Sequence, residues 1–178
     1  MKKILAIAAI SAVLVSGCGY TTRSLLPANY KSIYVENVKN LIKVTAEQSD
    51  QRMYRGYRPG MEIDMTKAFI NKFIADGNIR INSAENADLM LKTELIDYNR
   101  GAIIYDANYS IEEYRIKMIV NLELFDVKAN KLVWQEKGFA GETTYRTGGS
   151  LAKTESVAVK DAIDDLARRV VERTVEAW

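Results

Sequence analysis

The stretch "EEYRIKMIVNLELF", residues 112–125, decides the fold. Tyr114, Ile116, Met118, Val120, Leu122 and Leu124 occupy every second position, and Arg115, Lys117, Asn121 and Glu123 lie between them. Side chains of a strand point alternately to opposite faces, so this pattern describes one long strand with a buried face and a polar face. A sheet built from such strands is covered on one side only, the usual condition of antiparallel sheets.

Working outward, "DVKANK" (126–131) is a turn into "LVWQEKGFAGETTY" (132–145), which makes a hairpin with the long strand. Within it Trp134 and Phe139 fall on opposite faces unless a bulge intervenes. Upstream, Leu89, Leu91, Thr93 and Leu95 share one face of a strand from Leu89 to Tyr98; "SIYVENV" (32–38) reads as a first strand, and Ile79 and Ile81 suggest a short additional one. Met61, Met65, Ala68, Phe69 and Phe73 recur at helical steps across Glu62 to Asp76, with Gly77 as the stop signal. A last helix, from about Thr154 to Glu176, carries the stripe Val159, Ala162, Ile163, Leu166, Val170 and Val171. There Asp161, Asp164 and Asp165 precede Arg168, Arg169 and Arg173, an order that suits the helix dipole, with Asp164 and Arg168 spaced for an i,i+4 pair. The arginines therefore read as a solvated helix face. The expected architecture is α+β: a two-layer sandwich in which two helices pack on one face of a mainly antiparallel four-stranded sheet, formed by a single domain over residues 32–178.

Composition narrows the function. The 178 residues hold no histidine and one cysteine, so the commonest acid–base catalyst, the usual zinc ligand and an internal disulfide are all missing. Around "YRGYRPG", Arg52, Arg55 and Arg58 alternate with Tyr54 and Tyr57, a pattern that can bind phosphates or stacked bases, but it also suits a loop or edge strand leading into the first helix. Ser150 and Lys153 match S-x-x-K, the nucleophile motif of penicillin-interacting acyl transferases. For so short a motif chance alone supplies about 0.7 matches in this chain, and the companion motifs are absent. No catalytic, metal or cofactor site is expected.

The lone cysteine has another use. Lys2 and Lys3 precede an apolar run, Ile4 to Val15, that is too short to span a bilayer, and Val15, Ser16 and Gly17 lead to Cys18. The string resembles the bacterial lipoprotein box, against the plainer reading of a transmembrane anchor. Residues 1–17 are then a signal peptide, and 18–31 a leader bearing a diacylglyceryl group on the Cys18 thiol and an acyl chain on its amino group. Several chains give the stable membrane anchorage that one does not. Cleavage leaves 161 residues and removes Lys2 and Lys3, bringing the basic residues from 25 to 23 against 23 acidic ones. That balance offers no footprint for nucleic acid. Gly19, where an aspartate would retain the protein at the inner membrane, resembles the signal for sorting to the outer membrane.

The order and spacing of several strings resemble the lipopolysaccharide-assembly lipoprotein family LptE: Cys18-Gly19-Tyr20 with Leu26-Pro27, "SIYVENVKN", "YRPGMEIDMTKAFINKFIADG", "NADLMLKTELIDY", "EEYRIKMIVNLELFDVKANKLVWQEKGF" and the closing "ERTVEAW". The resemblance implies a non-enzymatic protein of the outer membrane, facing the periplasm and seated in the lumen of the LptD β-barrel, which it plugs and helps to assemble. It also implies a part in moving lipopolysaccharide to the outer leaflet. Family contacts with lipopolysaccharide place Lys153 as a candidate. At the second such place this chain departs from the pattern, with Asp106 there and Arg100 as the nearest base. The polar face of the long strand adds Arg115 and Lys117. Two alternatives remain: a structural lipoprotein of another envelope-assembly complex, and a periplasmic lipid-binding lipoprotein with an apolar cavity.

Overall fold

The structure, a computed structural model, describes residues 26–43, 48–49, 52–56 and 58–176. The signal peptide and Cys18 lie outside them. At the centre are three long strands, β6 (Leu89–Tyr105), β7 (Ile111–Asp126) and β8 (Lys131–Arg146), paired antiparallel in that order. Each runs further than the hydrophobic alternation alone indicates. Along β7 the alternation behaves as read: Ile116, Met118, Val120, Leu122 and Leu124 are fully buried. Leu89, Leu91 and Leu95 of β6 are buried with them, each contributing about 1.5–3 kcal/mol relative to exposure.

The sheet is not the mainly antiparallel four-stranded one expected. Among the described residues it has eight strands, and it is mixed, because β1 (Ser32–Val35) lies parallel to β6, and so does β2 (Lys39–Asn40). Further along β6, β4 (Met53–Arg55) pairs antiparallel and carries β3 (Gln48–Ser49) outside it; β5 (Arg80–Ile81) pairs parallel with β1. The parallel pairing follows from connectivity: the chain returns from β1 to β6 through helix α1 (Met61–Asp76), and a crossover helix delivers the next strand in the same direction. The extra strands are two or three residues long, too short to show a period.

Two bulges reset the faces. One between Leu95 and Asp97 puts Tyr98 on the same side as Leu95, where it is fully buried. The other lies in β8 at Lys137–Gly138, with Gly138 at φ 71°, and brings both Trp134 and Phe139 against the core. Without it they would face opposite ways.

Both helices cover this buried face and share one core. Helix α1 buries Met61, Met65, Phe69 and Phe73, and ends at Gly77, whose φ of 75° lets its N–H donate to the Phe73 carbonyl at 3.1 Å. Helix α2 (Glu155–Glu176) buries Ala158, Ala162, Ile163, Leu166, Ala167, Val170, Val171 and Val175. Its arginines divide. Arg168 stays on the solvated face, paired with Asp165 and Glu172 at 2.7 Å rather than with Asp164. Arg169 and Arg173 instead fold back over the rings of Phe139 and Trp134, at 5.1 and 4.6 Å from the ring centres. The alanines on its buried stripe let α2 ride close to β8. A Cβ placed on Gly141 would lie 2.5 Å from the Leu166 Cβ and 2.8 Å from its Cα, so the contact is helix backbone on strand backbone.

At the other end of the long strands, Asp88 fastens the N-terminal segment. Its carboxylate accepts from the backbone N–H of Lys31 (3.0 Å) and Ser32 (3.1 Å), from the Ser32 hydroxyl (2.9 Å) and from the Lys128 ammonium (2.6 Å). Tyr30 adds a bond from its hydroxyl to Asp126 at 2.9 Å. The Lys128 bond first, then the backbone donors, hold the Asp88 carboxyl well below the usual carboxylate range.

Two outcomes follow. Gly141→Ala should cost roughly 1–3 kcal/mol in urea unfolding, since Leu166 cannot retreat without moving the helix; Gly101→Ala, with open space around its Cβ position, serves as the control and should cost less. Asp88→Asn should cost on the order of 1–3 kcal/mol at pH 7. Because the folded-state pKa is depressed, the stability Asp88 supplies is fully present above the unfolded value near ~4 and is lost as pH falls below it. The gap between wild type and Asp88→Asn should therefore narrow in urea titrations below about pH 4.

Candidate partner-facing surface

The face of the sheet turned away from the helices is uncovered. Arg115 and Lys117 project from it, two residues apart along β7 and so about 7 Å from one another. Arg115 stands in register between Gly101 and Thr144, and the missing side chain at Gly101 leaves it room. Lys117 lies between Asn99 and Glu142. Neither cation has an ion-pair partner among the described residues. Nearby, Arg55 of β4 is neutralised by Asp97 at 2.8 Å.

Arg100 is on the opposite face, so the structure does not bring it together with Arg115. Its guanidinium donates to Glu155 Oε2 at 2.7 Å and lies over the Tyr114 ring at 4.7 Å. Burial opposes its charge; the hydrogen bond and charge of Glu155 more than offset that and leave its pKa above the ordinary value. Glu155, the first residue of α2, also pairs with Arg58 and accepts from the Tyr98 hydroxyl at 3.3 Å. Arg58 lies against both Tyr54 and Tyr98, at 5.4 and 5.5 Å from their ring centres, while the two rings meet edge to face at 5.9 Å. Of the described residues of "YRGYRPG", Tyr54 and Arg58 turn toward the helix side while Arg55 stays exposed beside Asp97; β4 lies between β3 and β6, and Arg58 closes a knot of tyrosines and arginines around one carboxylate. Tyr57 lies outside the described residues.

Lys153 sits in the loop before α2, half-exposed, with its ammonium 2.6 Å from Asp161. The four sequence candidates therefore form two groups. Arg115 and Lys117 are free on the open sheet face; Arg100 and Lys153 are held by carboxylates on the helix side. Sequence reasoning missed the Glu155 knot, since its members are spread over β4, β6 and α2. The one local signal was an acidic residue directly after Thr154 at a helix start.

Among the described residues no group of three His, Cys, Asp or Glu could hold a metal, and no helix is long and apolar enough to cross a membrane.

Among solved structures, a hypothetical protein from Chlamydia trachomatis is similar in fold, with 10% identity over 82% of this chain and 95% of that one and a TM-score of 0.52. A minor lipoprotein from Acinetobacter baumannii shows 16% identity over 82% and 92%, at a TM-score of 0.48. Rare lipoprotein B from Shewanella oneidensis shows 13% identity over 79% and 92%, at 0.45. No curated protein matches the chain. Residues 30–174, nearly the whole of the described fold, match the family model LptE, lipopolysaccharide-assembly, and the chain belongs to that family.

Proposed function

We propose that this protein is an outer-membrane lipoprotein, anchored through acyl chains on Cys18, that seats within the lumen of an LptD β-barrel and assists the passage of lipopolysaccharide to the outer leaflet. The family is not enzymatic, and its match over residues 30–174 is the observation that carries the reading. The geometry agrees in two respects. A sheet with one face sealed by helices and the other polar suits a rigid body surrounded by a water-filled lumen. The N-terminal segment is fastened beside Asp88 and Lys128, at the end of the long strands away from the β6–β7 turn. With sixteen residues in β7, that turn stands about 50 Å from the anchored end.

Arg115 and Lys117 are the phosphate-binding candidates this reading favours, because their charge is not already spent on a carboxylate and phosphate recognition rests on such charge-assisted hydrogen bonds. Lys153 is the second choice, since an anionic ligand would compete with Asp161 for it. Arg100 is the weakest, being locked to Glu155.

Replacing Arg115, Lys117 and Lys153 with glutamate should lower capture of lipopolysaccharide by the purified protein several-fold, with most of the loss from Arg115 and Lys117. Thermal unfolding should stay near wild type for the Arg115 and Lys117 changes, as expected of positions on the uncovered face of the sheet, Arg115 exposed and Lys117 half-buried. Unchanged capture by the triple variant would remove these residues from the account.

A further inference from the structure

Strand β8 closes one side of the sheet. It pairs with β7 along one edge, and the other edge of a strand sixteen residues long is a ready template for a second chain. Three of its outward backbone groups are nonetheless occupied, at Ala140, Glu142 and Arg146, by side chains of α2 or by the loop leading into it. The Ala140 carbonyl accepts from the Arg169 guanidinium. The Glu142 N–H donates to Asp165 Oδ2 at 3.2 Å. The Arg146 carbonyl accepts from the Lys153 N–H at 3.1 Å, where the loop leading into α2 bridges to the strand end at Ala152. Alternation along an antiparallel strand makes residues 140, 142 and 146 members of one outward set.

These contacts are not forced by packing. The stripe that binds α2 to the core is Ala158, Ala162, Leu166 and Val170, whereas Asp165 and Arg169 reach past it to the strand edge. The Arg169 guanidinium lies over the Phe139 ring and from there donates to the carbonyl.

We propose that Asp165 and Arg169 form a guard that keeps β8 from pairing with β8 of a second copy of this chain. The commitment to a second copy rests on self-complementarity. Two β8 edges brought together antiparallel about a two-fold axis at Gly141 set each Ala140 opposite Glu142 of the other copy. The Ala140 carbonyl and Glu142 N–H then bond reciprocally, and these are the two groups the guard occupies. Such an isologous contact closes at two chains. The Gly138 bulge limits it to the stretch beyond, so the pairing is short and two competing side chains suffice to prevent it. The inference does not depend on what the open face of the sheet binds.

The test uses the full-length chain in mild detergent, with particle mass followed by light scattering over a concentration series. Wild type should hold one chain per particle. Asp165→Ala with Arg169→Met, the methionine keeping an unbranched apolar side chain without the donor, should shift it to two. Adding Glu142→Pro, which removes the N–H that the pairing needs on an edge that tolerates proline, should return it to one. If the double variant does not fold, Asp165→Ala alone frees the Glu142 N–H and should still raise the two-chain fraction at the upper concentrations. One chain per particle throughout for a folded guard variant, or a two-chain form that survives Glu142→Pro, would overturn the proposal.

Discussion

The antiparallel ladder between β6 and β7 carries the side chains that hold the molecule together, and the same ladder fixes what the molecule shows to its surroundings. Leu91 and Leu122 are buried because α1 and α2 cover their face; one residue away in each case the backbone turns its side chain to the open side. The strand that buries Ile116 and Met118 therefore has to present Arg115 and Lys117. A register slip of one residue would exchange the two sets, placing two cations under a helix. Burial of one face is thus the cause of the cationic pair on the other, and the two cannot be altered separately.

Two carboxylates hold the ends of this ladder. Asp88 ties the incoming chain to the β7–β8 turn through Lys128 and the backbone of Lys31 and Ser32. Glu155 ties the start of α2 to Arg58 and Arg100 at the other end. Each satisfies several donors with one charge, in a molecule that has no disulfide to do so. The close seating of α2 on Gly141 then sets the spacing between layers.

Much of this was legible in the sequence where one physical period ran long enough to be counted. The six apolar residues from Tyr114 to Leu124 declare the strand and its buried face, and Met61 to Phe73 with Gly77 declare the first helix and its end. What escaped was set by distant contacts. The strands β2 and β3 exist because β6 and β4 offer edges to pair with, and nothing in two residues reveals that; the short strand suggested by Ile79 and Ile81 is present as β5, but its pairing with β1 was not legible. The direction of β1 depends on the crossover through α1. The alternation put Trp134 and Phe139 on opposite faces unless a bulge intervened, and only the register shows that one does, at Gly138, turning both to the same side. In the site the alternation placed Arg115 and Lys117 correctly on the polar face. It could not show that Arg100 and Lys153 spend their charge on Glu155 and Asp161, residues that come close only in the folded chain.

A rigid sandwich sealed by helices on one face and polar on the other is the physical form that the proposed role inside a barrel requires, and membership of the LptE family gives that role its chemistry. The most direct test is to purify the full-length protein from its own host in mild detergent and identify what accompanies it. A large outer-membrane β-barrel recovered at close to one copy per copy is the predicted result; recovery of the protein alone, or with a different complex, would contradict the account.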